Sequence, residues 1–226
     1  MSITENINQI KATLPATVKL VAVSKTKPNE LLMEAYSTGQ RAFGENKVQE
    51  MAAKYEALPK DIEWHFIGHL QTNKIKQIIP FVHLIHGIDS FKLLKAIDKE
   101  AVQANRIVHC LLQFHIAEEE TKFGLSMDES TAMLNSSEFK LLTNIKISGV
   151  MGMATYTDDT NQIRNEFAHL KNIFDQLKSE YFPLDDEFRE ISMGMSGDYL
   201  IAVQEGSTMV RIGSILFGER IYNSRT

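Results

Sequence analysis

The sequence predicts an α/β fold, a single-domain (β/α)8 TIM barrel spanning residues 1–226. Three observations predict it. Eight short apolar stretches alternate with helix-patterned segments, as in parallel sheets built from βαβ units. The 226 residues divide into about 28 per strand–helix unit, a compact barrel slightly below the usual ~250 residues. Clusters of glycine, hydroxyl and charged residues also lie just beyond predicted strands, the end at which barrels carry ligands. An open doubly wound sheet is the alternative, but no G-x-G-x-x-G opens a helix in its favour.

A helix over residues 3–14 comes first. The wholly apolar run Leu20-Val21-Ala22-Val23 marks the first strand, 18–24, because short β-branched runs read as strands buried on both faces. Pro28 follows, and the pattern Glu30, Leu31, Leu32, Met33, Ala35, Tyr36 carries a helix to residue 38. The second strand is brief, 40–43, with a helix over 46–57; the third, 62–67, precedes a helix over 72–79. Residues 81–86 form the fourth strand, with a long helix over 90–104. The fifth, 107–116, is the clearest after the first and leads to a helix over 127–136. The sixth, 146–151, leads to an amphipathic helix over 160–181. The seventh, 190–193, a short helix over 199–204 and the eighth, 208–212, complete the count. No linker, composition shift or repeat marks a domain boundary.

Composition removes several function classes. A formal charge of −5, from 24 basic and 29 acidic residues, argues against a grip on nucleic-acid phosphates. No apolar run approaches membrane-spanning length, and the polar start holds no secretory h-region. The single cysteine, Cys110, cannot form an intrachain disulfide, and its neighbours Ile107, Val108, Leu111 and Leu112 suggest a core thiol rather than a reactive one. A cytoplasmic protein is expected.

Lysine is rarely buried without a role, and Lys25 ends the first apolar strand. There its amine points where α/β folds place ligands, which suits carbonyl chemistry. The bland alternative is a stem reaching to solvent. Lys27, beside Pro28, reads as surface. Gly194, Ser196, Gly197 and Gly213, Ser214 follow strands seven and eight, where barrels frequently bind phosphate. Glycine admits a close anion, and hydroxyl and backbone N–H groups donate to it. Ser196 and Asn46 are equally acceptable helix caps. Arg211 lies in the apolar strand Met209-Val210-Arg211-Ile212 and needs a partner, either an internal carboxylate or a ligand. His65 and His69 share the four-residue spacing of helical zinc pairs but fall on a strand and loop with no third ligand nearby, so no metal site is read. A phosphosugar-handling barrel with Lys25 as an imine-forming lysine fits these residues too.

Five segments in order resemble the pyridoxal phosphate homeostasis protein family over about residues 20–220. They are Ala22-Val23-Ser24-Lys25-Thr26-Lys27-Pro28; Phe43-Gly44-Glu45-Asn46; Trp64-His65-Phe66-Ile67-Gly68 with Leu70-Gln71-Thr72-Asn73-Lys74; Ser192-Met193-Gly194-Met195-Ser196; and Gly206-Ser207-Thr208-Met209-Val210-Arg211-Ile212-Gly213. The resemblance implies a barrel like the N-terminal domain of alanine racemase. It implies pyridoxal 5′-phosphate held as a covalent aldimine on Lys25, with Arg211 facing the pyridine nitrogen. Ser196, Gly213 and Ser214 would hold the phosphate and Asn46 the ring substituents, with His65 and Met195 as further cofactor contacts.

Three departures from the family pattern bear on the pocket. The segment before the first strand is short, Phe123 in Lys122-Phe123-Gly124 is bulky, and Met151-Gly152-Met153-Ala154 carries a glycine at a variable place. A monomer or weak dimer that sequesters the cofactor and delivers it to apo-enzymes is expected. Arginine only donates, so it favours an unprotonated ring nitrogen and a weaker electron sink. The chain also reaches Thr226 just after its eighth unit, where alanine racemase would continue into a domain that supplies a tyrosine base. Binding without turnover is therefore expected, with a small amino-acid racemase or decarboxylase as the alternative and Tyr156 or His65 as substitute bases.

Overall fold

The computed structural model describes residues 2–118 and 123–218, so Lys122 and the end of the chain lie outside the described residues. Eight parallel strands close in chain order: β1 (Lys19–Val23), β2 (Ala42–Glu45), β3 (Glu63–Phe66), β4 (Leu84–Ile88), β5 (Val108–Gln113), β6 (Ile145–Met151), β7 (Glu190–Ser192) and β8 (Met209–Ile212). β8 pairs back onto β1 through Lys19–Met209, Leu20–Val210, Val21–Arg211 and Ala22–Ile212. The helices are α1 (Ile3–Thr13), α2 (Asn29–Ser37), α3 (Val48–Ala57), α4 (Phe91–Gln103), α5 (Met127–Asn135), α6 (Thr160–Glu180), α7 (Tyr199–Gln204) and α8 (Ser214–Phe217).

Side chains alternate across each strand, and the two faces meet different surroundings. Val21, Ala42, Leu84, Leu111, Met151 and Met209 pack together inside the barrel. Outward residues such as Phe43, Trp64, Phe66 and Leu112 join the larger core beneath the helices. The barrel interior is thus filled, as in other (β/α)8 folds. At Gly149 the backbone φ is +148°, and a Cβ there would sit 1.8 Å from the Glu190 carbonyl oxygen. Only glycine lets β6 lie against β7 at this point.

Two strands, β2 and β4, start at least two residues later than the sequence suggests. Gln40 lies before β2 as a cap: its amide donates to the carbonyls of Leu20 at 2.7 Å and Ala42 at 2.8 Å. Phe81 and Val82 belong to a turn, their N–H groups donating to the Ile78 carbonyl, so β4 begins at Leu84. The expected helix over 72–79 is a 3-10 turn over Thr72–Gln77. β5 is shorter than expected, and α8 and a 3-10 turn over Phe139–Leu141 have no counterpart in the sequence reading. No helix among the described residues is long and apolar enough to cross a membrane.

Candidate functional site

Strands β7, β8, β1 and β2 are neighbours around the closed barrel, and their C-terminal ends bring most of the expected site residues together. Lys25 stands in the turn two residues past Val23, half-buried. Val23 pairs with Gly44 of β2 on one side. On the other side Gly213 presses against it, since a Cβ on Gly213 would lie 3.1 Å from the Val23 carbonyl oxygen. The end of β1 is therefore held between the loops after β2 and β8.

A buried polar network sets the path on both sides of Lys25. The Ser24 hydroxyl donates to Glu45 Oε1 at 2.6 Å. Lys54 Nζ, on α3, donates to that same oxygen at 2.7 Å, to the Ser24 carbonyl at 2.8 Å and to Glu50 Oε1 at 2.7 Å. Glu50 in turn accepts from the Thr26 backbone N–H at 2.6 Å. Thr26 has φ +65°, a conformation β-branched residues adopt only when held there. Burial pushes the Glu45 carboxyl above its ordinary range, while Lys54 and Ser24 pull it back. Sequence reasoning missed Lys54 and Glu50. Their four-residue spacing was a signal, but the burial of Lys54 was not visible in it.

Ser196 caps no helix: α7 starts at Tyr199 behind Asp198. Its hydroxyl accepts instead from the Gly213 N–H at 3.4 Å, joining the loops after β7 and β8. Met195 is exposed, with its N–H on Asp198 Oδ1 at 2.5 Å. The Arg211 N–H donates to the Gly194 carbonyl at 2.9 Å. Ser214 opens α8 and is exposed. Asn46 is half-buried and does not cap α3, whose first turn follows Lys47. It lies against Gly68, where a Cβ would come within 2.5 Å of the Asn46 carbonyl oxygen.

Arg211 is buried and turned into the barrel. Its guanidinium donates to Ser192 Oγ at 2.7 Å and to the Gly152 carbonyl at 3.0 Å, two neutral acceptors rather than the carboxylate the sequence allowed for. Burial pushes it down to about 10, with Asp198 raising it, so it is charged at neutral pH. Five N–H groups on a guanidinium leave donors beyond these two bonds. Ser192 Oγ continues to His86 Nδ1 at 2.9 Å, and His86 Nε2 to His65 Nδ1 at 2.9 Å. Burial pushes His65 down to about 4 and His86 well below its usual range, so both rings are neutral.

His65 therefore needs correction as a cofactor contact. Its ring lines the cavity at the N-terminal ends of the strands with Lys19, His83 and Glu190, and reaches Arg211 only through His86 and Ser192. Lys27 is not surface either: half-buried, it donates to the carbonyls of Phe217 at 2.8 Å and Gly218 at 3.0 Å, holding the end of α8. Phe123 is exposed and stacks on His69, and Gly152 supplies the carbonyl that anchors Arg211. Cys110 is buried as expected, its thiol pushed up by desolvation.

The family model described as alanine racemase, N-terminal domain, matches residues 1–221. The pyridoxal phosphate homeostasis protein of Aquifex aeolicus is 41% identical over 206 residues, covering 90% of this chain and 88% of that one. The chain belongs to the pyridoxal phosphate homeostasis protein family. The family's Synechocystis member is 38% identical, covering 95% and 97% of the two chains. The solved structure of PipY from Synechococcus elongatus with PLP bound is 34% identical, with a TM-score of 0.86 over 96% of this chain and 100% of that one. Alanine racemase of E. faecalis, at 16% identity and a TM-score of 0.75, covers 96% of this chain and 58% of that one, and shows the fold alone.

In this member of the pyridoxal phosphate homeostasis protein family, Lys54→Met leaves Glu45 buried without its cation. The substitution is expected to cost about 3–5 kcal/mol of stability, read as a lower urea midpoint. A midpoint within error of the unaltered protein would show that the network does not hold the end of β1.

Proposed function

We propose that this chain holds pyridoxal 5′-phosphate reversibly at the C-terminal mouth of the barrel and serves its homeostasis without turning over amino acids. The observation that carries the reading is the convergence on one mouth of Lys25, the joined Ser196–Gly213 loops and the buried, donor-only Arg211. The cofactor, when bound, supplies an aldehyde that reacts with amines and a phosphate that marks it for recognition. Lys25 is the amine for the aldehyde. Ser196, Gly213 and Ser214 present hydroxyl and backbone N–H donors for the phosphate, and Gly213 admits close approach because it carries no Cβ. Arg211, charged and fixed by Ser192 and the Gly152 carbonyl, would be the donor toward the cofactor's ring nitrogen, and a donor-only group there would favour the unprotonated form. Asn46 and the exposed Met195 flank the opening.

Two groups weighed as a second base do not fit that role. His65 belongs to the opposite end of the barrel, and Tyr156 is 97% exposed. The relatives' names and PLP-bound PipY support a binding role. The reading extends to a cytoplasmic monomer or weak dimer that passes the cofactor to apo-enzymes.

Lys25→Ala is expected to abolish the near-ultraviolet absorbance of the covalently held cofactor, while Lys27→Ala keeps it. Borohydride reduction and peptide mapping then find the cofactor on Lys25; an adduct on Lys27 with Lys25 unmodified contradicts the assignment.

Replacing Ser196 and Ser214 together by alanine should weaken pyridoxal phosphate more than tenfold while sparing unphosphorylated pyridoxal, since hydrogen bonds to a charged group are worth about 1.5–3 kcal/mol each. Equal weakening of both ligands would show that the two loops do not read the phosphate.

The absence of turnover is tested by deuterium exchange at the α-carbons of alanine, serine, lysine and ornithine, with Lys25→Ala as blank. No Lys25-dependent exchange is expected over hours, against about 1–10³ per second for ordinary enzymes. Robust exchange with any one of them would place the protein among enzymes.

A further inference from the structure

At the N-terminal mouth of the barrel, away from the proposed cofactor residues, three side chains converge. Glu63 and His65 occupy alternate positions of β3 and so share its inner face. His83 precedes β4 and is tied to β3 by its N–H on the Trp64 carbonyl at 2.9 Å. Glu63 Oε2 lies 4.0 Å from His65 Nε2 and 3.9 Å from His83 Nε2. The two histidine rings are 5.3 Å apart, and one ligand atom from each of the three residues falls within 4.8 Å of the others. Both rings border a cavity of about 170 Å³ with His109 and Glu190 on its wall.

The second observation comes from His65 itself. Its ring is fully buried, Nδ1 is engaged by His86, and Nε2 has no hydrogen-bond partner among the described residues. Buried ring nitrogens are ordinarily satisfied, and one left without a partner calls for an explanation. We propose that Glu63, His65 and His83 form a binding site for a divalent transition-metal ion of the zinc class.

The donor set is two imidazole nitrogens and a carboxylate oxygen, the combination of three-ligand zinc sites that keep a fourth position open. Bonds of about 2.0–2.2 Å place tetrahedral ligand atoms roughly 3.4 Å apart. The two Glu63 separations therefore close by about half an ångström and the His65–His83 pair, within 4.8 Å, by at most about 1.4 Å, movements within reach of His83 and Glu63, whose side chains are 47% and 36% exposed. The ammonium of Lys19 now lies 3.2 Å from Glu63 Oε2, and its 40% exposed side chain can withdraw to solvent when a dication takes that position. The outer support is already built. A metal on His65 Nε2 puts the ring proton on Nδ1, where it donates to His86 Nε2; His86 then donates from Nδ1 to Ser192 Oγ. Metal-bound histidines characteristically have their other nitrogen engaged in this way. The pair weighed from the sequence, His65 with His69, is not the one the fold assembles, for His69 faces Asp89 at 3.0 Å.

The site stands independently of the cofactor reading, and its test needs no cofactor. The full chain, stripped with a chelator, is titrated with Co²⁺ as a visible probe and then with Zn²⁺. One Co²⁺ per chain is expected, with the d–d bands of a low-coordinate nitrogen–oxygen site that Zn²⁺ erases. His83→Ala and Glu63→Gln, at part-exposed positions, should each weaken Co²⁺ at least tenfold, and His69→Ala should bind as the unaltered chain does. Absence of stoichiometric Co²⁺ bands would overturn the proposal, as would unchanged affinity in both His83→Ala and Glu63→Gln.

Discussion

The four-pair ladder between β1 and β8 closes the sheet, and the ligand end of the barrel depends on that closure. Without it Lys25, near the beginning of the chain, would have no reason to meet Gly213 near its end. With it the missing Cβ of Gly213 lets the β8 loop come against Val23. Ser196 then reaches the Gly213 N–H, so the loop after β7 joins the same assembly. A closed parallel sheet leaves no edge strand, and the residues just past its strands are oriented by the ladder rather than by the loops themselves.

Inside the barrel, polar groups stand among apolar ones. Arg211, Ser192, His86 and His65 bond in sequence between Leu84, Leu111, Met151 and Met209. Burying such groups is tolerable only when they are bonded to one another, and a well-packed apolar filling would often be at least as stable. The histidines stay neutral because desolvation opposes their charged forms, which confines the charge to Arg211. The column gives up apolar packing in exchange for a fixed guanidinium at one end and an unbonded imidazole nitrogen at the other.

The alanine racemase likeness and the family membership carry different weight. A shared barrel at 16% identity speaks of architecture, and one barrel supports many chemistries through its loops. What this chain does therefore has to be argued from its own mouth residues: a lysine held by the turn around it, serine and glycine loops joined by the Gly213 N–H on Ser196, and an arginine that can only donate. That set favours holding an aldehyde and a phosphate over driving proton transfer at a bound amino acid.

Much of the architecture was legible in the sequence because it is written locally. Apolar runs of strand length, the alternation with helices, the lysine ending the first run and the glycine–serine loops after the last two are all patterns of near neighbours. The starts of β2 and β4 were not legible, because Gln40 bonds to Leu20 across the sheet and Phe81 and Val82 fold back on Ile78. Nor was the direction of His65. Strand alternation puts it inside the barrel, but only contacts with His86, Glu63 and His83, brought from separate strands and loops, decide that it faces the N-terminal mouth. Lys54 reads as an ordinary helix lysine until α3 packs on the barrel and buries it between Ser24 and Glu45. The sequence by itself determined the eight strands, their alternation with helices and the glycine–serine loops after the last two strands, since periodicity and turn residues act over a few positions. Only the tertiary structure decided which side chains share a buried partner, because those bonds join residues that meet only once the sheet has closed.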